Sequence, residues 1–352
     1  METNENKLKV ILPERINGLR KTQRGVYVPT SGHISKILRN MVPSLEDLPE
    51  YVSQGDEAKK IDVARKNKKS VLISGPTGIG KSLLVRRYAA ENKLPLLVYV
   101  ANEDASDWKM RGSQDLLVVP FEDEKGEIRD IKVKTFTPAQ VSLAAMAEEP
   151  VVLFVDELHK MRQGVTSLLH SLINPTERTL YSYDLTGEDY KLHPETLVVG
   201  ALNPSYGEGG IDRLDAALRR RWATIPLEMP NEKQVLKIVM KNVGELDGKL
   251  KGLVAKLISI QARIYRARKS SEGNSPSAVV GEGSLDTQTL SSIIEVPSPA
   301  SIVETVRDIQ AGLPALSAIE MNMIDTIVTD FGHARAALVQ YVKDMIPASL
   351  LK

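Results

Sequence analysis

The chain has 352 residues, of which 42% are hydrophobic and 26% charged, a composition typical of a globular protein. Its formal net charge of +1 gives no sign of a nucleic-acid-binding surface, and the absence of cysteine excludes disulfides, thiolate metal sites and cysteine nucleophiles. Its apolar stretches, such as residues 151–155, are too short to span a bilayer, and METNENKLKV at the N-terminus lacks a signal peptide's apolar region. We therefore expect a cytoplasmic protein without a membrane span. The length predicts one large domain and a smaller one.

From residue 70 onward, short apolar runs alternate with segments of helical periodicity. The predicted strands lie at residues 71–73, 96–100, 151–155, 197–199 and 223–225. Helices are predicted between them at residues 82–91, 137–148 and 161–172. Near-continuous apolar strands alternating with helices indicate an α/β fold, in which helices cover both faces of a parallel sheet.

Two interruptions of this alternation are predicted to be β-hairpins. The first pairs residues 116–121 with residues 128–134 around a polar turn, and the second pairs residues 179–183 with residues 190–193. After Pro230 the pattern is helical only. The predicted helices there lie at residues 232–243, 249–269, 301–311 and 332–345.

These patterns predict three regions. Residues 1–45 show no clear period and are interpreted as an N-terminal extension, residues 46–230 as the α/β domain and residues 231–352 as a helical domain. Within the last region, residues 270–298 are rich in Ser, Gly and Pro, and we expect a flexible insertion there.

The strongest motif, GPTGIGKS at residues 75–82, follows a predicted strand and opens a predicted helix. This is the spacing of a phosphate-binding loop (P-loop), in which glycines let successive backbone N–H groups converge on phosphate oxygens. A glycine-rich turn that matches by accident is the alternative, which the strand–helix context disfavours. We expect Lys81 to reach the β- and γ-phosphates of ATP and Ser82 to bind Mg²⁺. The residues predicted to hold the nucleotide are Gly75, Pro76, Thr77, Gly78, Ile79, Gly80, Lys81 and Ser82.

Polar residues also end two further predicted strands. Asp156 and Glu157 follow VVLFV, and ligands bind at the carboxyl edge of such sheets, so we expect Asp156 to hold Mg²⁺ and Glu157 to orient or deprotonate the attacking water. Asn203 follows another apolar run and is predicted to hydrogen-bond that water or the γ-phosphate. Solvated acids and a turn-forming Asn-Pro pair are the alternatives, which lose weight beside the P-loop.

Three consecutive arginines, residues 219–221, end a predicted helix. Guanidinium groups are costly to bury, so they need water or an anionic partner. They could complement the helix C-terminus. We favour an arginine finger given to the ATP of a neighbouring subunit, with Arg221 as the first choice and Arg220 as the second.

This order of motifs resembles that of the AAA+ ATPases. The hairpins before and after the acidic strand are similar to the inserts of the branch that includes MoxR proteins, magnesium chelatase and dynein. Within it, the chain most resembles the CbbQ/NirQ/NorQ group of accessory ATPases, with the gas-vesicle protein GvpN as a cousin. The likeness runs from Pro49 to about residue 345 and includes PEY at 49–51, GDE at 55–57, NEDASD at 102–107, LTGE at 185–188 and NPSY at 203–206.

The resemblance implies a P-loop fold with hairpin inserts and a helical lid, assembled as a ring, usually a hexamer, with ATP sites between subunits. Arg221 would act in trans. The residues implied to act in cis are Lys81, Ser82, Asp156, Glu157 and Asn203. The family resemblance also implies a remodelling chaperone that activates a client protein, often with a partner that carries a von Willebrand factor A domain.

One position departs from the family pattern. The lid helix that begins near residue 298 normally carries an arginine that senses the γ-phosphate, and this chain has Ala300 there. Arg307 and Arg335 are nearby candidates to replace it, although an ordinary surface arginine is the simpler interpretation of each.

Two other functions stay open at this stage. Ala300 motivates a scaffold or switch that binds ATP and hydrolyses it slowly, which the intact Glu157 and the arginine run disfavour. A nucleic-acid translocase is the other, because MCM helicases share the branch and the first hairpin carries Lys132 and Lys134. The near-neutral net charge gives a nucleic-acid partner little support.

Overall fold

The computed structural model describes residues 18–102, 106–122, 127–161, 163–203, 216–272, 285, 287–329 and 331–351. In chain order, the elements before the helical region are β1 (Leu19–Lys21), β2 (Val26–Pro29), α1 (Ser31–Arg39), α2 (Glu57–Lys66), β3 (Ser70–Ser74), α3 (Lys81–Glu91), β4 (Leu96–Val100), α4 (Asp107–Arg111), β5 (Gly112–Glu122), β6 (Ile128–Pro138), α5 (Gln140–Met146), β7 (Val152–Asp156), α6 (Gln163–Leu172), β8 (Thr179–Leu180), α7 (Tyr183–Thr186), β9 (Tyr190–Lys191), β10 (Leu197–Leu202), α8 (Ala216–Arg219) and β11 (Trp222–Pro226).

The central sheet is parallel, with the strand order β11-β3-β10-β7-β4. Its strands confirm the five apolar runs, and their continuous burial follows from packing on both faces. In β7, Leu153 and Val155 enter one hydrophobic core, whereas Val152 and Phe154 enter the core on the opposite face. The carboxyl ends of these strands meet at one edge, where the residues that follow β3, β7 and β10 come together.

The first predicted hairpin is confirmed and is longer than expected. Strands β5 and β6 pair from Gly112↔Pro138 to Glu122↔Ile128, and the turn at 123–126 lies outside the described residues. The predicted helix at residues 137–148 begins only at Gln140, because the two residues at its expected start pair in β6. The second predicted hairpin shrinks to the pairing of β8 with β9, because the helical turn α7 lies between them.

Residues 18–45, the described part of the expected N-terminal extension, fold against the α/β region. Strand β1 pairs with β2, and β2 pairs in parallel with β6, which gives a sheet of order β1-β2-β6-β5. Ile34 and Leu38 of α1 are buried in a core of the central sheet. This segment therefore adds strands and core residues to the α/β region, while the domain limits at residues 45 and 230 stay predictions.

Helices follow Pro230, as predicted, and we call this helical region the lid. Its elements are α9 (Glu232–Val243), α10 (Gly248–Glu272), α11 (Thr287–Ser292), α12 (Pro299–Gln310), α13 (Ala315–Ile319), a π-helical turn (Glu320–Ile324), α14 (His333–Met345) and α15 (Ala348–Leu351). The flexible insertion expected at 270–298 stays a prediction, although in its last part Ile293 is buried in the lid core and Leu290 and Val296 pack against that core. Within the ranges that the structure describes, no helix is long and apolar enough to cross a membrane.

Candidate active site

The loop of residues 75–80 joins β3 to α3 at the carboxyl edge of the sheet. Gly78 and Gly80 have φ angles of +71° and +98°, left-handed conformations that other residues rarely adopt. At Gly75, an added Cβ would lie 2.5 Å from both Ile79 Cδ1 and Leu227 O. The loop therefore needs glycine at these positions, and it ends at the amino terminus of α3, where backbone N–H groups favour an anion.

Lys81 is held in place by its own loop. Its side chain is buried, and Nζ donates hydrogen bonds to Gly75 O and Pro76 O at 2.8 Å and to Asn203 Oδ1 at 2.5 Å. Burial lowers the pKa of Lys81, and the negative charges of Glu157, Asp156 and Glu295 oppose that shift. The ammonium group thus lies ready beside the glycine loop, with acceptors that phosphate oxygens can replace.

Two oxygen-bearing side chains, those of Ser82 and Asp156, lie beside the loop. Ser82 Oγ donates to Asp156 Oδ2 at 2.8 Å, and the backbone N–H of Glu157 donates to Asp156 Oδ1 at 2.9 Å. Among the described residues, no cluster of three or more His, Cys, Asp or Glu side chains could hold a metal. A hydroxyl and one carboxylate suit Mg²⁺, which usually keeps several waters and takes one or two protein ligands beside phosphates.

Glu157 and Asn203 meet between the two strand ends. Asn203 Nδ2 donates to Thr77 Oγ1 at 3.0 Å and to Glu157 Oε1 at 3.4 Å. Glu157 Oε2 lies 3.2 Å from Lys160 Nζ, an ion-pair distance, and 3.3 Å from His159 Nε2, and neither contact has hydrogen-bond geometry. This buried oxygen has no hydrogen-bond partner within the described part of the chain, so it can accept a bond from water.

A cleft of about 250 Å³ is lined by residues of the P-loop, of the strand ends and of the lid. On its lid side, Glu295 Oε1 accepts a hydrogen bond from Thr77 Oγ1 at 2.9 Å. A Cβ added at Gly78 would lie 2.2 Å from Ser298 Cβ, so the lid rests directly on the loop. The cleft is lined by Pro76, Thr77, Glu157, His159, Lys160, Asn203, Met229, Tyr265, Arg268, Ile294, Glu295 and Val296.

A second pocket, of about 140 Å³, lies on the other side of the loop. Its apolar lining comes from the segment before α2, from the P-loop and from the lid, and includes Tyr51, Val52, Ile79, Leu83, Ile238, Ala300 and Val303. A largely apolar pocket next to a phosphate-binding loop has the chemistry to hold the base of a nucleotide.

The arginine run lies at the opposite edge of the sheet. Trp222, which follows it, pairs with Ser70 at the start of β3, so Arg221 is separated from its own P-loop by the length of β3, roughly 13 Å. Arg221 Nη1 donates to His170 O at 2.5 Å, whereas Arg220 is exposed. The structure therefore brings Lys81 and its strand-end partners together and keeps the arginines apart from them.

The two arginines considered as replacements for the missing lid arginine do not face the cleft beside Glu157. Arg307 lines the second pocket and donates to Asn242 O at 3.1 Å, and Arg335 pairs with Asp325 within the lid at 2.7 Å.

Sequence reasoning missed the cleft residues His159, Lys160, Tyr265, Arg268 and Glu295. The first two directly follow the acidic strand end, which was a usable signal. The other three enter through lid packing.

The parallel sheet, the P-loop and the helical lid together have the fold of the P-loop AAA+ proteins. Residues 70–222 match the family described as AAA domain (dynein-related subfamily). The chain is 28% identical over 275 residues to Protein NorQ of Paracoccus denitrificans. This alignment covers 77% of this chain and 94% of NorQ. It is 27% identical over 247 residues to Protein CbbQ of Hydrogenophilus thermoluteolus, and this alignment covers 70% of this chain and 85% of CbbQ. The resemblance to the MoxR branch of the AAA+ proteins is thus confirmed.

Among solved structures, the RuvB Holliday junction branch migration motor of Thermotoga maritima is 17% identical. The match covers 86% of this chain and 91% of that chain, with a TM-score of 0.38.

Proposed function

We propose that this chain hydrolyses ATP to ADP and phosphate in a Mg²⁺-dependent reaction, as one subunit of a ring. The observation that carries the proposal is the hydrogen-bonded set at one sheet edge. There, Lys81 contacts Asn203, Asn203 contacts Glu157, and Ser82 contacts Asp156. A phosphate-binding cation, a pair of Mg²⁺ ligands and a carboxylate next to an amide are the parts that phosphoryl transfer to water requires.

Each residue has a distinct part in this chemistry. Lys81 exchanges its carbonyl acceptors for oxygens of the β- and γ-phosphates, and Ser82 with Asp156 holds Mg²⁺, which neutralises phosphate charge when bound. Glu157 accepts a proton from the attacking water through the oxygen that has an unused acceptor site. Asn203 fixes Glu157 relative to Thr77 and orients the water.

The second pocket supplies the remaining part of a nucleotide site. Its apolar walls bury an adenine ring between Tyr51 and the lid residues Ile238 and Val303. Because lid residues form one wall, nucleotide binding joins the lid to the α/β region.

The opposite position of the arginines supports a ring. A finger that cannot reach the P-loop of its own chain can serve the ATP of a neighbour, which produces a head-to-tail interface that closes into a ring. We propose Arg221 for this role, after release from His170 O, and Arg220 as the second choice. The family resemblance favours a hexamer.

The resemblance also supports the biological role. We propose a cytoplasmic remodelling chaperone that activates a client protein and works with a partner that carries a von Willebrand factor A domain. A pull-down for such a partner, with the Glu157→Gln variant to hold the ATP-bound state, tests this part. The proposal is refuted if this variant retains no partner with such a domain in the presence of ATP.

Steady-state phosphate release by the assembled protein tests the ATPase proposal. Loss of the general base in Glu157→Gln is expected to lower turnover about a hundredfold or more, with nucleotide binding retained. Glu148→Gln is a matched control, because Glu148 is an exposed carboxylate just before β7. Equal turnover in the wild type and in Glu157→Gln would refute the proposed ATPase motor. It would favour the alternative that Ala300 suggests, a switch that binds ATP and hydrolyses it slowly.

A further inference from the structure

Negative charges gather at the cleft between the P-loop and the lid. A triphosphate keeps negative charge after Mg²⁺ and Lys81 have bound it, and Asp156 and Glu157 add two carboxylates beside it. Glu295 contributes a further carboxylate from the lid, through Thr77. Phosphoryl transfer depends on cations placed around the γ-phosphate, and a cation on the lid side would act there in addition to the finger proposed from a neighbouring subunit.

Arg268 is the lid arginine that lines this cleft. It lies on α10, one helical turn after Tyr265, and the spacing of three puts both side chains on the same helix face. Both residues are half-buried, whereas Arg266 between them is exposed. The face of α10 that carries Tyr265 and Arg268 is therefore the one turned towards Glu157 and Asn203.

The side chain of Arg268 is also tied to the lid segment that touches the P-loop. Its Nη1 donates a hydrogen bond to Ile293 O. Two residues further on, Glu295 accepts the hydrogen bond from Thr77, and Ser298 then packs over Gly78. A shift of the Arg268 side chain is therefore transmitted through residues 293–298 to the contacts between the lid and the loop.

We propose that Arg268 is the residue with which the lid detects a γ-phosphate, in place of the arginine absent at Ala300. This inference rests on the proposed ATPase function. A guanidinium binds phosphate oxygens with paired, charge-assisted hydrogen bonds, and ADP has no γ-phosphate to accept them. Arg268 therefore makes the site prefer ATP over ADP and couples that preference to lid position.

Lys160, the other cation of the cleft, cannot take this part. It follows β7 in the α/β region, and its Nζ lies 3.2 Å from Glu157 Oε2, the carboxylate proposed to activate water. Because Lys160 belongs to the α/β region, a phosphate that binds it does not pull on the lid.

Equilibrium binding of ADP and of the non-hydrolysable β,γ-imido analogue of ATP tests the proposal. We expect Arg268→Met to weaken analogue binding about ten- to a hundredfold, the effect of losing hydrogen bonds to a charged group, and to change ADP binding less than about twofold. Arg268→Lys keeps the charge but loses the paired geometry, so it recovers part of the loss. Arg266→Met is the matched control, because Arg266 pairs with Glu232 on the exposed side of the same helix.

The outcomes separate the two proposals. If the wild-type protein binds neither nucleotide, the proposed ATPase function fails. If it binds both and Arg268→Met keeps the wild-type preference for the analogue, Arg268 is not the detector. An equal loss for analogue and ADP would make Arg268 a structural residue and overturn the inference, and so would analogue binding weakened as much by Arg266→Met.

Discussion

Replacing Gly78 with alanine tests whether the lid rests on the P-loop. The change has two costs. An alanine at φ +71° is strained by about 1–2 kcal/mol. Its Cβ would also lie 2.2 Å from Ser298 Cβ, and such overpacking costs about 1–3 kcal/mol. The expected loss in free energy of unfolding is therefore about 2–5 kcal/mol.

Two further variants separate these costs. Gly312→Ala meets left-handed strain without the contact, because Gly312 follows the end of α12 at φ +102°, within the hydrogen bonds of a left-handed helix end, and has no atom within 4 Å of an added Cβ. Ser298→Gly removes the side chain that clashes, and as an N-cap of α12 glycine costs only about a few tenths of a kcal/mol. In the Gly78→Ala/Ser298→Gly double variant the strain remains and the clash is gone, so about 1–3 kcal/mol of coupling is expected.

Urea unfolding of the nucleotide-free protein, with identical buffer for all four variants, measures these differences. The reasoning fails if Gly78→Ala is no more destabilised than Gly312→Ala. It also fails if the costs of Gly78→Ala and Ser298→Gly simply add, since Ser298 would then not lie over the loop.

Three other changes are expected to alter the site in distinct ways. Lys81→Ala should lower affinity for a fluorescent ATP analogue about a hundredfold or more, because the phosphates lose a charged donor, and unchanged affinity would contradict its role. Arg221→Ala should bind ATP normally and lose turnover, and mixing it in equal amounts with Lys81→Ala should restore about a quarter of wild-type turnover, because that fraction of random interfaces has both parts intact. If Arg221→Ala keeps its turnover, and Arg220→Ala loses turnover and regains a quarter in the same mixture, the finger is Arg220. Glu295→Gln should tighten ATP binding about two- to fivefold, because an exposed like charge is removed while the bond from Thr77 can persist, and the gain should shrink at high salt. Calorimetric titration at two salt concentrations checks it, and weaker binding would show that the carboxylate assists ATP.

The features of local origin could be predicted from the sequence. Continuous apolar runs predicted all five strands of the central sheet, because a strand packed on both faces has no polar positions to obscure it. The P-loop and the acids after β7 carry their spacing in the chain itself, and parallel strands bring such residues to one edge. The helices α9 and α14 began and ended within a residue of their predicted limits.

The missed features depend on partners far away in the chain. Strand β2 is too short to stand out, and it is stabilised by pairing with β6, more than a hundred residues further on. Leu290 and Ile293 form part of the lid core, although the segment around them has the composition of a linker. Arg268 lines the cleft because the lid packs against the P-loop, and no local sequence pattern specifies that packing.

The backbone of Glu157 has a consequence for the evolution of this chain. Its φ angle of +55° places a long side chain in a conformation that favours glycine and asparagine, at a cost of about 1–2 kcal/mol. A glycine or asparagine that relieves this strain would stabilise the fold and at the same time remove the proposed general base. Libraries designed to stabilise this chain should leave position 157 fixed.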